Sequence, residues 1–394
     1  MKILAICQYY YPEPFRIHEV CEELAARGHE VTMLTGLPNY PMGVIPKEYL
    51  DKKKWDETVN GVRIIRVKET PRKEGKIGLA LNYVSFVWHA CLKVFTLDKY
   101  DVTFVYQLSP ILMAIPAYVA RWIGKSKRIA LYCLDLWPES LTSMGIGRDS
   151  IFFKAIKGVS RKIYKGVNAL GYSSGMFAKY FSEVLKVDKK DGMHIPQFAD
   201  ELFDNIKDDN HQGINYVFAG NIGKMQKLDV VIRAAAKIDD ARIKWHIVGD
   251  GFAYEECLQL AEELSVTDRM AFYGRLPVEE MPKFYEMADA MIVTLADNET
   301  ISYTLPGKVQ SYMAAGKAIL ACANGEVKKV ILEAECGMCA PAENVDAFSQ
   351  MALAMADADT KEYGRKARDY YSKYFNKKSH VDGIEKMIEG AAQR

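Results

Sequence analysis

The chain of 394 residues carries 52 Lys and Arg against 51 Asp and Glu, a formal net charge of +1. That balance excludes a general nucleic-acid binder, which needs a strong basic excess. Hydrophobic residues at 49% and charged residues at 26% describe a soluble globular protein, and the length predicts two domains rather than one core.

Lys2–Cys7 predicts the first β-strand; its apolar run is too short for a signal peptide. Ile17–Arg27 reads as a helix closed by Gly28, and His29–Thr35 as the next strand. Val62–Val67 and Val102–Tyr106 predict further strands. A helical run Pro110–Ile123 leads to a strand at Arg128–Cys133, and a helix at Ile151–Lys165 to a strand at Ala169–Ser173. This alternation predicts a parallel sheet covered by helices. The pattern stops at 194–200, and the polar run 204–213 reads as an interdomain linker.

A second alternation follows. Asn215–Ala219, Lys244–Val248, Met270–Tyr273, Ala290–Leu295 and Ala318–Cys322 predict strands, with helices at Leu228–Ala236 and Tyr254–Leu264 among those between them. Tyr371–Ala392 is charged and helical. The expected fold class is α/β, two facing Rossmann-like domains with the ligand cleft between the C-terminal edges of their sheets. The expected boundaries are 1–198, 199–370 and a terminal helix at 371–394 packing back on the first domain.

Ile77–Leu97 comes closest to a membrane span but carries aromatics, one His and one Lys. No stretch of about 20 residues is purely apolar enough to cross a bilayer. With Arg72, Lys73 and Lys76 just before it, the segment suits a helix lying in a membrane interface. A buried helix preceded by a solvated charged loop fits the same residues. The eight cysteines lie mostly in apolar runs, as expected of reduced thiols. Cys336 and Cys339 form a C-x-x-C with no second pair at zinc spacing, and no metal site is expected.

The loop Gln8–Arg16 after the first strand contains no glycine, which excludes a G-x-G-x-x-G dinucleotide site. The second domain opens differently, with Gly220-Asn-Ile-Gly-Lys-Met-Gln-Lys227 after its first strand. Two glycines let backbone approach a ligand, Lys224 and Lys227 add charge, and a helix N-terminus follows. The bland reading is a tight turn with surface lysines. There is no GK[ST], so ATP hydrolysis is not indicated. Gly249-Asp-Gly251 and Gly274-Arg-Leu276 leave room for a flat base. Ser302–Leu320 reads as a Pro-Gly-Lys turn, a short small-residue helix and a buried strand, and that turn can present N–H groups and one cation to an anion.

Together these strings resemble the family 4 glycosyltransferases of GT-B architecture, in the bacterial capsule, O-antigen and exopolysaccharide subgroup. The resemblance rests on Tyr10-Tyr-Pro-Glu-Pro14, Gly28-His-Glu-Val31, Gly36-Leu-Pro-Asn-Tyr-Pro-Met-Gly43, Asp135-Leu-Trp-Pro-Glu-Ser140, Gly220-Asn-Ile-Gly223 and Leu305-Pro-Gly-Lys308. It implies donor contacts from Arg16, Gly220, Asn221, Lys224, Gln226 or Lys227, Gly249, Arg275, Leu276, Thr304, Leu305, Pro306, Gly307, Lys308 and Ser311. Asn221 stands where many relatives have an arginine. It also implies a catalytic Asp135, with Glu139 as the second candidate. The alternative for Asp135 is a helix N-cap before Trp137-Pro138. One departure is plain: the glutamate pair of many relatives falls on Tyr303 and Ser311, neither acidic.

The implied reaction is hexosyl transfer, with retention at the anomeric carbon, from a UDP-linked sugar such as an N-acetyl sugar to a lipid-linked or saccharide acceptor. Fixed cations would stabilise the departing diphosphate, so neither metal nor cofactor is expected. The Asp-x-Asp at Asp357 and Asp359 reads as solvated surface. The subgroup and segment 72–97 imply a cytoplasmic protein, peripheral on the inner face of the plasma membrane. Two rival readings share the architecture: a UDP-sugar 2-epimerase and a non-catalytic nucleotide-sugar-binding subunit.

Overall fold

A computed structural model of the chain describes residues 1–73, 75–188, 191–204, 206–207, 209 and 211–394, with Ser143 and Met144 as backbone only. They form two compact units: Met1–Ser173, Phe177–Ile195 and Val381–Arg394 make the first, Ser174–Met176 and Pro196–His380 the second.

The first unit is built on a sheet of eight described strands. These are β1 (Lys2–Ile6), β2 (Glu30–Thr35), β3 (Asp56–Val59), β4 (Val62–Arg66), β5 (Val102–Gln107), β6 (Ile129–Cys133), β7 (Ala169–Tyr172) and β8 (Met193–His194), in the order β3-β4-β2-β1-β5-β6-β7-β8. Ile3 pairs with Val31 on one side and Val102 on the other, so strand order reverses at β1. Such reversals open crevices at strand C-termini. The central strands are continuous apolar runs because helices cover both faces. Helix Ile17–Ala26 buries Ile17, Val20, Cys21 and Leu24, the spacing of one helical stripe.

Strand β3 was not expected. It runs antiparallel to β4 through Asn60-Gly61, whose φ values are 50° and 81°. Asn-Gly accepts the positive φ that a two-residue hairpin requires. The run expected as one helix from Pro110 divides into a 3-10 turn, Ile111–Ala114, and an α-helix, Ile115–Trp122. Helix Gly75–Val94 corrects the membrane expectation: by length and composition it is long and apolar enough to cross a membrane. One face, with Tyr83, Phe86, Ala90 and Val94, is buried, whereas Ile77, Leu81, Val84 and Trp88 are exposed.

The second unit carries six described parallel strands: β9 (Ile214–Ala219), β10 (Ile243–Val248), β11 (Met270–Gly274), β12 (Ala290–Thr294), β13 (Ala318–Cys322) and β14 (Gly337–Ala340), in the order β11-β10-β9-β12-β13-β14. Alternate residues of β9 serve separate cores. Tyr216 and Phe218 join Trp245 and Phe348, while Val217 and Ala219 join Tyr312 and Met313. Cys339 lies in β14, and both cysteines of the C-x-x-C are buried.

The chain enters this unit at Pro196, upstream of the run 204–213, of which 205, 208 and 210 lie outside the described residues. The C-terminal stretch is two helices, Thr360–Tyr374 and Lys377–Gln393, because Phe375 and Asn376 interrupt the ladder. From Val381 onward the chain belongs to the first unit, where Arg27 donates to Asp382 at 2.8 Å and to Glu385 at 2.7 Å.

Candidate functional site

In the second unit, three turns at strand C-termini are joined by backbone hydrogen bonds. Gly220 N donates to Val248 O at 2.9 Å, Ile222 N to Asp250 O at 2.9 Å, and Gly249 N to Gly274 O at 2.8 Å. Gly249 has φ of +140°, and a Cβ there would lie 1.8 Å from Gly220 O. Only glycine permits this close approach. The result is a floor of bare backbone at the ends of β9, β10 and β11.

Helix Gly307–Ala314 is anchored to that floor. Pro306 caps it in extended conformation, as suits a residue entering a helix. Lys308 and Tyr312 share a face at i, i+4. Tyr312 Oη donates to Ala219 O at 3.0 Å and accepts from Ala219 N at 3.2 Å. Lys308 therefore lies over the end of β9, with Nζ 3.8 Å from the centroid of the Phe218 ring. Its Nζ is 3.3 Å from where a Cβ on Gly220 would stand. Nζ is buried and has no hydrogen-bond partner among the described residues. Burial pushes the ammonium down to about 7. A buried donor set left unsatisfied calls for an acceptor from outside the chain.

The other expected donor residues divide. Asn221 Nδ2 and Gly223 N both donate to Gln226 Oε1, at 3.2 and 3.1 Å, so Gln226 closes its own turn. Lys227 is engaged by Asp229 at 3.5 Å and Glu343 at 3.1 Å. Lys224 sits 5.1 Å from the Phe252 ring centroid. Both lysines line a cavity of about 400 Å³ that also holds Asp229, Glu256 and Glu263. Arg233 lines it too, so three cations face three acids there, and Lys308 is not in its lining.

Arg275 is exposed, and Leu276 and Leu305 pack against the core. Thr304 Oγ1 donates to Thr300 O at 3.2 Å just past the short helix Glu299–Ser302, and Ser311 Oγ to Gly307 O at 3.3 Å within helix Gly307–Ala314. Tyr303 Oη donates to Glu299 Oε1 at 3.1 Å. Sequence reasoning did not name Glu299; its signal was an acid one helical turn before Tyr303. Asp357 and Asp359 serve as surface groups, the first paired with Arg242 at 3.0 Å and the second capping the Thr360 helix.

In the first unit, Asp135 follows β6 and Ser109 follows β5. Asp135 Oδ2 accepts from Ser109 Oγ at 2.8 Å, and Trp137 Nε1 donates to that Oγ at 3.0 Å. Burial raises the Asp135 carboxyl, with the Ser109 bonds opposing. The 3-10 helix that follows begins at Glu139 with Pro138 at its cap, so Asp135 is not the N-cap. Glu139 is buried and accepts from Arg148 Nε at 2.9 Å and Tyr180 Oη at 3.4 Å. Arg16 pairs with Glu19 at 2.9 Å.

Asp135 lines a cavity of about 310 Å³ with Tyr9, Phe15, Tyr40, Arg72 and Trp137, which contains neither Glu139 nor Arg16. Its walls are set by a buried polar network. Glu13 Oε1 accepts from the backbone N of Asn39 and of Tyr40, each at 2.7 Å. Asn39 Nδ2 donates to Glu69, which also accepts from Gln8 Nε2 at 3.2 Å. Burial pushes Glu13 up to about 6 and Glu69 well above the usual carboxylate range. The network ties Tyr10–Pro14 to Gly36–Gly43, a coupling the separate strings did not announce. Among the described residues, His29, Glu385 and Glu389 are grouped closely enough to hold a cation, but His29 and Glu385 already bond each other at 2.8 Å.

Residues 200–374 match the family model of glycosyl transferases group 1. The chain is 24% identical over 260 residues to WbjE of Pseudomonas aeruginosa, assigned as a glycosyltransferase; the match covers 61% of this chain and 64% of that one, just under two thirds of the relative. It is 23% identical over 347 residues to WcaI of Escherichia coli, assigned as a colanic acid biosynthesis glycosyl transferase, covering 80% and 82% of the two chains. The solved structure of Anabaena HepE in complex with UDP superposes with a TM-score of 0.72 at 13% identity, over 100% of both chains. At that identity the likeness is one of fold. The chain thus has the GT-B fold of two Rossmann-like units, and its residues 200–374 resemble glycosyl transferases group 1.

Proposed function

We propose that the protein is a retaining glycosyltransferase that moves a hexosyl unit from a UDP-linked sugar to a lipid-linked saccharide in surface polysaccharide synthesis. The carrying observation is Lys308, a buried ammonium with no hydrogen-bond partner among the described residues, beside the glycine floor. HepE, of similar fold, was solved with UDP, and WcaI is assigned to colanic acid biosynthesis. Both support the donor and pathway class.

The hard step is loss of a nucleoside diphosphate from an oxocarbenium-like sugar. Negative charge grows on the leaving phosphate. Lys308 and the N-terminus of helix Gly307–Ala314 meet it without reorganising, which is where electrostatic catalysis is strongest. The glycine turns admit the nucleotide. In the first unit, Asp135 orients the acceptor hydroxyl and takes its proton, and its raised carboxyl makes it a better base. The exposed stripe Ile77, Leu81, Val84 and Trp88, preceded by Arg72, Lys73 and Lys76, fits a peripheral contact with the inner membrane face.

The test is release of UDP by the purified chain, supplied with UDP-sugars and with lipid-linked saccharides extracted from bacterial membranes. Release that requires both substrates, with the donor's anomeric configuration kept in the product, is expected. An epimer formed from UDP-GlcNAc alone would replace the reading with an epimerase. Binding without turnover would replace it with a nucleotide-sugar-binding subunit.

A further inference from the structure

We infer that the cavity of the first unit recognises an anionic saccharide, a sugar ring bearing phosphate, and that Arg72 is the residue that reads the phosphate. The inference rests on the glycosyltransferase reading only for the ligand's role as acceptor. The recognition itself is argued from the cavity.

One wall is aromatic. Tyr9 and Phe15 stack with centroids 5.0 Å apart, and Tyr40 closes on them at 5.7 and 5.0 Å. Flat apolar faces of this kind pack against the C–H face of a sugar ring, and a few polar groups fix its orientation. Ser109, Asp135 and Ser140 supply those groups.

Arg72 is the arginine in the cavity lining. Arg16, Arg27, Arg63, Arg66 and Arg148 each meet a carboxylate. Arg72 forms no ion pair among the described residues. Its guanidinium lies over the Tyr40 ring, 5.5 Å from the centroid, with a long bond of 3.4 Å to Tyr9 Oη and a contact with the Tyr83 hydroxyl. Its backbone is fixed, since Arg72 N donates to Asn39 Oδ1 at 2.9 Å, inside the Glu13–Asn39–Glu69 network. Asp135, in the same cavity, also meets no cation among the described residues. A cation and a carboxylate left unneutralised in one cavity suit a ligand with an anionic end and a hydroxyl end. A guanidinium forks onto phosphate with two parallel bonds.

The phosphate has two sources. Helix Gly75–Val94 begins three residues after Arg72, and its Leu79 lines the cavity while Ile77 and Leu81 are exposed. A lipid tail leaving the phosphate would run onto that stripe, whereas a soluble sugar phosphate would not use it.

The experiment is calorimetric titration of the full chain with the 1-phosphates of glucose, galactose and N-acetylglucosamine, each against its methyl glycoside. At least one sugar 1-phosphate is expected to bind about tenfold tighter than its glycoside, roughly 1.4 kcal/mol. Arg72→Gln should abolish that preference while leaving glycoside affinity within about twofold, and Arg72→Lys should keep part of it. No preference in any pair, or a preference that survives Arg72→Gln at unchanged melting temperature, overturns the inference. A decyl-diphosphate-linked N-acetylglucosamine separates the sources: tighter binding than the sugar 1-phosphate assigns a lipid carrier, and equal binding assigns the soluble form. UDP titrated into the same samples keeps the two claims apart. Retained UDP binding without phosphate preference sinks this inference alone. Phosphate preference without UDP binding sinks only the proposed donor.

Discussion

Lys308 holds its Nζ 3.8 Å from the centroid of the Phe218 ring, with no hydrogen bond to any described residue. A cation–π contact contributes about 0.5–2 kcal/mol, less than the several kcal/mol needed to desolvate an ammonium. Lys308 is therefore a cost to the unliganded fold. Lys308→Met keeps the stem and removes the charge, so it should melt at or above the parent temperature, read by differential scanning calorimetry. A clear fall would mean that Lys308 stabilises the fold.

The same residue gives a pH dependence. Its ammonium titrates near 7 in the fold against 10.5 in the open chain. The folded form loses the proton first, so the burial cost is full below about 7 and fades towards 10.5 as pH rises. A diphosphate on Nζ restores the charged form. UDP binding at about pH 8.5 should draw a proton from solution, and at about pH 6 should draw none. Calorimetry in two buffers of different ionisation heat reads this, and Lys308→Met should abolish the uptake.

Gly249→Ala tests the glycine floor. Its Cβ would stand 1.8 Å from Gly220 O at a φ of +140°. Overpacking and backbone strain together should cost about 2–4 kcal/mol. A variant with the parent's melting temperature would show that the three turns are not so tightly joined.

In the first unit, Glu13 titrates near 6 against an ordinary 4.5 because burial outweighs its backbone hydrogen bonds. The folded form thus holds the extra proton, and the stability this contributes is full below 4.5 and is lost as pH rises through 6. Glu13→Gln keeps an acceptor for Asn39 N and Tyr40 N and should flatten that dependence. Glu13→Ala leaves the buried Asn39 N–H and the half-buried Tyr40 N–H without this acceptor and should cost about 1–3 kcal/mol. Urea unfolding at several pH values distinguishes the two.

Asp135→Asn should lower the transfer rate by about 10²–10⁴-fold if the carboxylate takes the acceptor proton. The bond to Ser109 Oγ is retained in the variant, so donor binding should be unchanged. Transfer at the full rate would remove the catalytic assignment.

Much of the fold was legible because apolar runs such as Ile3–Ile6 and Ala318–Cys322 announce buried parallel strands. The β3–β4 hairpin was missed: Asn60-Gly61 signals a two-residue turn, but the half-exposed strand before it has no apolar run to mark it. The site was read less fully. Lys224, Lys227 and Lys308 look alike in sequence, and only packing shows that Lys227 is neutralised by Asp229 and Glu343 while Lys308 is not. Arg72 read as a surface cation, because its place beside Tyr9 and Tyr40 depends on the long-range bonds of Asn39. Glu139 read as an acid beside Asp135, yet its side chain is buried against Arg148.

The central claim is that Lys308 and the glycine floor hold a nucleoside diphosphate. Thermal shift with UDP and UDP-sugars, on the parent chain and on Lys308→Met, tests it most directly. At a hundred times its Kd, UDP should stabilise the parent by about 2.7 kcal/mol, a rise of several degrees, and should do so far less in Lys308→Met. No shift with any nucleoside diphosphate, or an equal shift in the variant, would contradict it.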